Sequence, residues 1–225
     1  MARQLITEQM IKEAFRRGSK TLDVPAGSII TPLAAERATS SGIRIVEQTT
    51  PPEQPPATAL RQSDPPHEAR PTGENKVVAF GSDHGGFQLK ELLKKHTESL
   101  GYKVIDVGTN SEEPCDYPDF AYAVATLVAK GEAWRGIMID GAGIGSCVVA
   151  NKVPGIRAAC CHNEFVARNA REHNDTNVLT LGSRVVGSEV CKEIVRVWLE
   201  AWFAGGRHKL RVDKIVDVEA RFLIK

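Results

Sequence analysis

The 225-residue sequence predicts an α/β protein: a five-stranded parallel sheet between layers of helix, preceded by a small α-rich extension. Three observations predict it. From residue 76 onward, short and nearly continuous apolar runs alternate with stretches of helical spacing. Runs of that kind are strands buried on both faces, the condition of a parallel sheet covered by helices. A proline-rich stretch, 49–75, separates this part from the first 48 residues.

In the first 48 residues, Ile6, Met10, Ile11, Ala14 and Phe15 recur at helical spacing as an apolar stripe. Thr7 is placed as its N-cap and Gly18 as its stop. Thr31-Pro32 has the form of a cap followed by proline in the first turn of a second helix. Gly42 ends that helix, and Ile43, Ile45 and Val46 continue as an extended piece. Such a unit is too small to bury much core. Two readings stay open: a mini-domain packed on the main body, or a docking element whose apolar face enters a partner's groove. Residues 49–75 contain seven prolines and few large apolar side chains, so they read as an extended linker. Residues 76–225 form the main domain.

There, 76–80, 103–108, 136–140, 156–161 and 177–182 are the expected strands. Helices are expected over 87–100, 117–130, from Ser146, over 163–172 and over 188–203, with a basic helix from Arg207. Right-handed crossovers complete a Rossmann-like three-layer sandwich. Ligands of such sheets bind beyond the carboxyl ends of the strands, which selects the loops 81–86, 140–146 and 182–184.

Composition excludes several classes. A net charge of +1 creates no field that would recruit nucleic acid or an acidic membrane. No apolar run approaches the roughly 20 residues that span a bilayer, and the first 18 residues lack the apolar core of a secretory signal. Cys115, Cys147, Cys160, Cys161 and Cys191 show no CxxC spacing, which disfavours a disulfide framework or a zinc site. Reduced thiols in a cytoplasmic compartment follow.

Four motifs can do chemistry. In 81-GSDHGG-86, Asp83 and His84 stand at a strand end, suited to a sugar hydroxyl and a phosphate; the plain alternative is Asp83 capping the next helix. In 137-IMIDGAGIGSCVVANK-152, Gly141, Gly143 and Gly145 alternate with Ala142 and Ile144. The spacing is not the G-x-G-x-x-G of dinucleotide binding, which needs glycine at Ser146. Successive amides in such a loop still form an anion nest. In 172-EHNDTN-177, His173 can move protons near neutral pH and Asn174 can orient a hydroxyl, or cap a solvated helix end. Arg184, Arg207 and Arg211 can hold phosphate, or simply be solvated.

Taken together, GSDHGG, DGAGIGSCVVANKVPGIRAA, REHNDTNVLTLGSRVVG and GGRHKLRV resemble the ribose-5-phosphate isomerase B family, which includes the paired subunits of galactose-6-phosphate isomerase. The resemblance spans about residues 76–220. It implies aldose–ketose isomerisation of a sugar phosphate through a cis-enediolate, without metal or cofactor. It also implies a homodimer, or a tetramer built from it, with sites between subunits. Carried over, Asp83 and His84 match the family's Asp-His pair. His173 matches the histidine of sugar ring opening, with Asn174 beside it. Residues 141–145 match the loop that steadies the enediolate, with Ser146 following. Arg184, Arg207 and Arg211 match the phosphate ligands, assisted by His84.

The departure is Asp140. Many members place a cysteine there as the base for the C2 proton, and another branch uses a glutamate where this chain has Ser146. The resemblance therefore makes Asp140 the expected base, with Cys147 as a substitute, or Asp140 a cap in an inactive binding subunit. Ribose 5-phosphate is the expected substrate and a hexose 6-phosphate the alternative. Residues 1–48 resemble extensions of bacterial microcompartment enzymes, which implies a shell-protein partner and a location inside such a compartment.

Overall fold

The computed structural model describes residues 4–48 and 77–223. The expected linker, 49–75, lies outside the described residues. The described residues divide into two compact units, 4–48 and 77–223.

The N-terminal unit runs β1 (Leu5–Ile6), α1 (Glu8–Arg16), β2 (Thr21–Pro25), β3 (Ile29–Ile30), α2 (Pro32–Ser41) and β4 (Arg44–Gln48). Both helices start after threonine, Thr7 and Thr31, but only Thr31 caps with its side chain, accepting from the Ala34 amide at 3.2 Å. Gly42 ends α2 in the left-handed conformation, φ 68°, which glycine adopts without strain. Ile6, Ile11, Ala14, Val24, Ala34, Ala38 and Ile43 form a core of the unit's own. Phe15, expected on the same stripe, is 59% exposed.

The unit is less purely helical than expected. β1 pairs parallel with β3, Leu5 opposite Ile29, and β2 pairs parallel with β4, Thr21 opposite Arg44. Each strand–helix–strand half thus pairs with the other, Ile6-Thr7 repeating as Ile30-Thr31. Strands of two residues carry no readable period, and pairing across a helix is not a local signal.

The second unit contains β5 (Val77–Ser82), α3 (Phe87–Ser99), β6 (Lys103–Asp106), α4 (Tyr117–Ala129), β7 (Arg135–Asp140) and α5 (Ile144–Ala150). It continues with β8 (Ala158–Cys160), α6 (Glu164–Asn174), β9 (Val178–Gly182), α7 (Ser188–Glu200) and α8 (Arg207–Leu223). The five strands form one parallel sheet in the order β6-β5-β7-β9-β8. All six residues of β7 are buried, as its continuous apolar run requires. One face packs Leu93 of α3, Ala167 and Ala170 of α6, and Ile194 and Trp198 of α7 against Phe80, Ile137, Ile139 and Leu181. On the other face Gly81 and Gly136 let Val124 of α4 press directly onto the sheet.

Three helix boundaries differ from expectation by two residues or more. Helix α5 begins at Ile144 rather than Ser146, because Gly143, at φ 79°, makes the turn. Helix α7 stops at Glu200, short of residue 203. The buried Arg135 donates to the carbonyls of Trp198 (2.6 Å), Leu199 (3.0 Å) and Ala201 (3.1 Å). A cation on the final carbonyls satisfies groups that a helix end leaves open. Helix α6 reaches Asn174 with Asp175 as its left-handed cap, φ 47°, its carboxylate held by Arg157 (2.8 Å) and Arg171 (3.0 Å). Asn174 is thus the last helical residue and not the cap.

Candidate active site

The expected residues fall into two clusters at opposite ends of the sheet. At the carboxyl end, the loops after β5, β7 and β9 are stitched together. The Ser183 hydroxyl donates to the Gly85 carbonyl at 2.7 Å, and the Ser183 and Arg184 amides donate to the carbonyls of Asp140 (2.8 Å) and Gly141 (3.1 Å). The Arg184 side chain runs beside Gly141, where an added β carbon would lie 3.9 Å from its Cδ.

Asp83 is buried and accepts the Gly86 amide at 3.0 Å, so it does cap the short 3-10 turn His84–Gly86. Burial pushes its carboxyl above the usual carboxylate range; the Gly86 amide and His84 oppose that rise, and Asp140 adds to it. His84 Nδ1 lies 3.2 Å from both the amide and the carbonyl of Cys115. The amide can donate to Nδ1 and the carbonyl can accept from it, so the ring is anchored to this loop in either tautomer.

Asp140 is 4% exposed. One carboxylate oxygen accepts the amides of Ala142 (2.8 Å) and Gly143. The other accepts the Ser146 amide (3.1 Å) and the Ser146 hydroxyl. A carboxylate has about four acceptor positions, and all of them are engaged. The nest that sequence reasoning assigned to a substrate oxyanion is therefore filled, at three amides, by the chain's own carboxylate. Ser146, expected among the substrate contacts, is fully buried with its hydroxyl on Asp140. The Cys147 thiol turns toward the Ala158 carbonyl at the start of β8 (3.4 Å) and the Asn151 side chain (3.6 Å).

Sequence reasoning missed Tyr117 and Cys115. A β carbon on Gly145 would lie 2.6 Å from the Tyr117 ring, so the phenol lies flat on the glycine loop. Both residues follow β6, and the rule that selected the other three loops applies equally to that one.

The second cluster lies at the amino end. His173 and Asn174 close α6 just before β9 begins, and Arg207 and Arg211 open α8. The His173 ring stacks on His208 at 4.0 Å, 10° from parallel, and its Nδ1 lies 2.9 Å from the Asn169 side-chain amide. The Ala204 amide donates to the Glu172 carbonyl at 2.9 Å and ties the start of α8 to α6. Burial, then the charges of His173, Arg207 and Arg211, hold His208 below the usual histidine range. The five residues of β9 separate this cluster from Arg184 by roughly 13 Å of strand alone. Within one chain the structure does not bring the two clusters together.

A family model described as Ribose/Galactose Isomerase matches residues 78–215. The chain belongs to that family. Among curated relatives of this isomerase, the Ribose-5-phosphate isomerase B of Escherichia coli is 51% identical over 146 residues, covering 65% of this chain and 98% of the relative. The D-erythrulose-4-phosphate isomerase of Pectobacterium atrosepticum is 43% identical over 140 residues, 61% of this chain and 91% of the relative. Among solved structures, the Clostridium thermocellum Ribose-5-Phosphate Isomerase B matches with a TM-score of 0.64 at 51% identity, covering 65% of this chain and 99% of that one. The Mycoplasma genitalium enzyme with bound ribulose-5-phosphate matches with a TM-score of 0.62 at 42% identity, covering 64% and 96%. The chain is a sugar-phosphate isomerase with the family's α/β fold. No helix among the described residues is long and apolar enough to cross a membrane.

Proposed function

We propose that this isomerase interconverts ribose 5-phosphate and ribulose 5-phosphate through a cis-enediolate, as a homodimer. Each site joins the carboxyl-end cluster of one subunit to the amino-end cluster of the other. The observation that carries this reading is the separation of the two clusters: neither alone offers both a proton-transfer group beside the glycine loop and a histidine for ring opening. Exposed Ile144, Val148, Phe165, Ile215, Val218 and Phe222 supply apolar surface for a second copy. The relatives' pentose phosphates support the choice of sugar.

The steps follow from the chemistry of the groups. Arg184, Arg207, Arg211 and His84 hold the phosphate, and His173 with Asn174 opens the sugar ring. Ser146 holds Asp140 through a hydroxyl that rotates without moving the backbone. When it turns away, that carboxylate oxygen keeps the Ser146 amide and has one acceptor position open, with which it takes the C2 proton and returns it to C1. Asp83, whose carboxyl is raised by burial, passes the O2 proton to O1. The amides of Gly141, Ile144 and Gly145, which Asp140 does not occupy, face the developing oxyanion.

Deuterium exchange from solvent into C2, compared across tetrose, pentose and hexose phosphates, tests the reading. Exchange is expected to be fastest with ribose 5-phosphate. No exchange with any of these sugars would instead favour the binding-subunit alternative. For residues 1–48 we propose docking to a shell protein of a bacterial microcompartment, supported by the unit's own core and by exposed Phe15 and Leu33. The full chain should co-sediment with shell protein and a chain lacking 1–48 should not; equal behaviour of the two removes the proposal.

A further inference from the structure

His173 is held on two sides by neighbouring side chains. Asn169, one turn earlier on α6, places its amide nitrogen 2.9 Å from His173 Nδ1. An amide NH2 group only donates, so Nδ1 accepts and the ring proton sits on Nε2. His208, from α8, covers the ring face at 4.0 Å. His208 is itself buried, 7% exposed, with its Nε2 3.4 Å from Arg207 Nε. The charged and titratable groups around the pair are Arg207 and Arg211 from α8 and Glu172 from α6. The 2.9 Å contact leaves Nε2 as the nitrogen free to meet a ligand.

We infer that Asn169 and His208 are positioning residues for ring opening: Asn169 decides which nitrogen of His173 carries the proton, and His208 decides the plane of its ring. The inference rests on the proposed function, in which His173 opens the sugar. In that step the C1–O4 bond breaks with its electron pair on O4. O4 gains a proton, and the O1 hydroxyl loses one as the C1 carbonyl forms. O1 and O4 share the carbon C1, so a single Nε2 reaches both, giving its proton to O4 and taking the one from O1. A ring with its proton on Nδ1 has none on Nε2 to give to O4 until it has taken the O1 proton, and a ring turned out of plane reaches neither oxygen.

The chemistry of the two sugars separates this role from a general structural one. Ribose 5-phosphate closes to a furanose through O4 and must be opened. Ribulose 5-phosphate cannot close, because the oxygen it would use carries the phosphate. Asn169→Leu should therefore lower kcat/KM for ribose 5-phosphate by about tenfold or more, while solvent deuterium exchange into C1 of ribulose 5-phosphate stays within about twofold of the unaltered enzyme. Nitrogen-15 shifts of His173 should show the proton on Nε2 in the unaltered enzyme and shared between both nitrogens in the variant. His208→Ala should show the same one-sided loss, and His208→Phe, which keeps a ring face, should recover most of it. Equal losses with both sugars, or none with either, would overturn the inference while the unaltered enzyme still exchanges normally. Absence of exchange from ribulose 5-phosphate by the unaltered enzyme would overturn the isomerase mechanism, and this inference with it.

Discussion

The two ends of the sheet treat their polar groups in opposite ways. At the carboxyl end the chain largely satisfies itself: Asp140 takes three amides and a hydroxyl, Asp83 takes the Gly86 amide, and Ser183 ties two loops together, while the buried Ser82 hydroxyl has no partner among the described residues. At the amino end polar capacity is left over. Arg207 and Arg211 are exposed and make no ion pair among the described residues, and the buried Nδ1 of His208 has no hydrogen-bond partner. One end is a largely self-paired scaffold. In the proposed function the other is the half-site that a second subunit and a phosphate complete.

The sharpest way to break this contrast is subunit mixing. Asp83→Asn removes a proton-transfer group at the carboxyl end and His173→Ala removes one at the amino end, and each variant alone should be nearly inactive. Mixed after dissociation, half the dimers are heterodimers with one intact site, so activity should return to about a quarter of the unaltered enzyme. No recovery would place both clusters in one subunit's site. Next in size is Asp140→Ala, which leaves three amides and a hydroxyl without their acceptor. Denaturant unfolding should report a loss of about 2–4 kcal/mol; a change too small to measure would mean the carboxyl end is not self-ordered. Gly145→Ala drives a β carbon into the Tyr117 ring at 2.6 Å and should cost about 1–3 kcal/mol by the same measurement.

The smallest effects are pH-dependent. The Asp83 carboxyl is raised in the folded state by burial, so its ionised form opposes folding above that range. Asp83→Asn should therefore be more stable than the unaltered enzyme at pH 7.5, with the gain vanishing below about pH 4. His208 is lowered in the folded state, first by burial. The unfolded chain then binds the proton first, and the stability contributed by neutral His208 is lost as pH falls through and below about 6.5. Melting temperatures between pH 7.5 and 5.5 should fall less steeply for His208→Phe. Parallel curves would show that His208 is not held neutral by its surroundings.

Much of this was legible along the chain because it is local. The apolar runs 136–140 and 177–182 announce buried parallel strands, Thr31-Pro32 announces a helix start, and Gly143 announces a turn before α5. Other features depend on contacts across the fold. Arg135 stands just before the expected strand 136–140, yet it ends a helix more than sixty residues away. Tyr117 looks like an ordinary first-turn residue until Gly145 is brought beneath it. The repeat in the N-terminal unit emerges only once β1 is seen to pair with β3.

Sequence alone determined the strand–helix alternation, the family, and which residue types stand ready for sugar-phosphate chemistry, since periodicity and motif spacing are properties of the chain read in order. Tertiary structure alone decided what those residues face. Asp140 lies opposite three amides and a serine because β7, the glycine turn and α5 fold around it, and His173 lies against His208 because α8 returns to α6. Hydrogen-bond partners are matters of distance in space, and distance in space is not written in the order of residues.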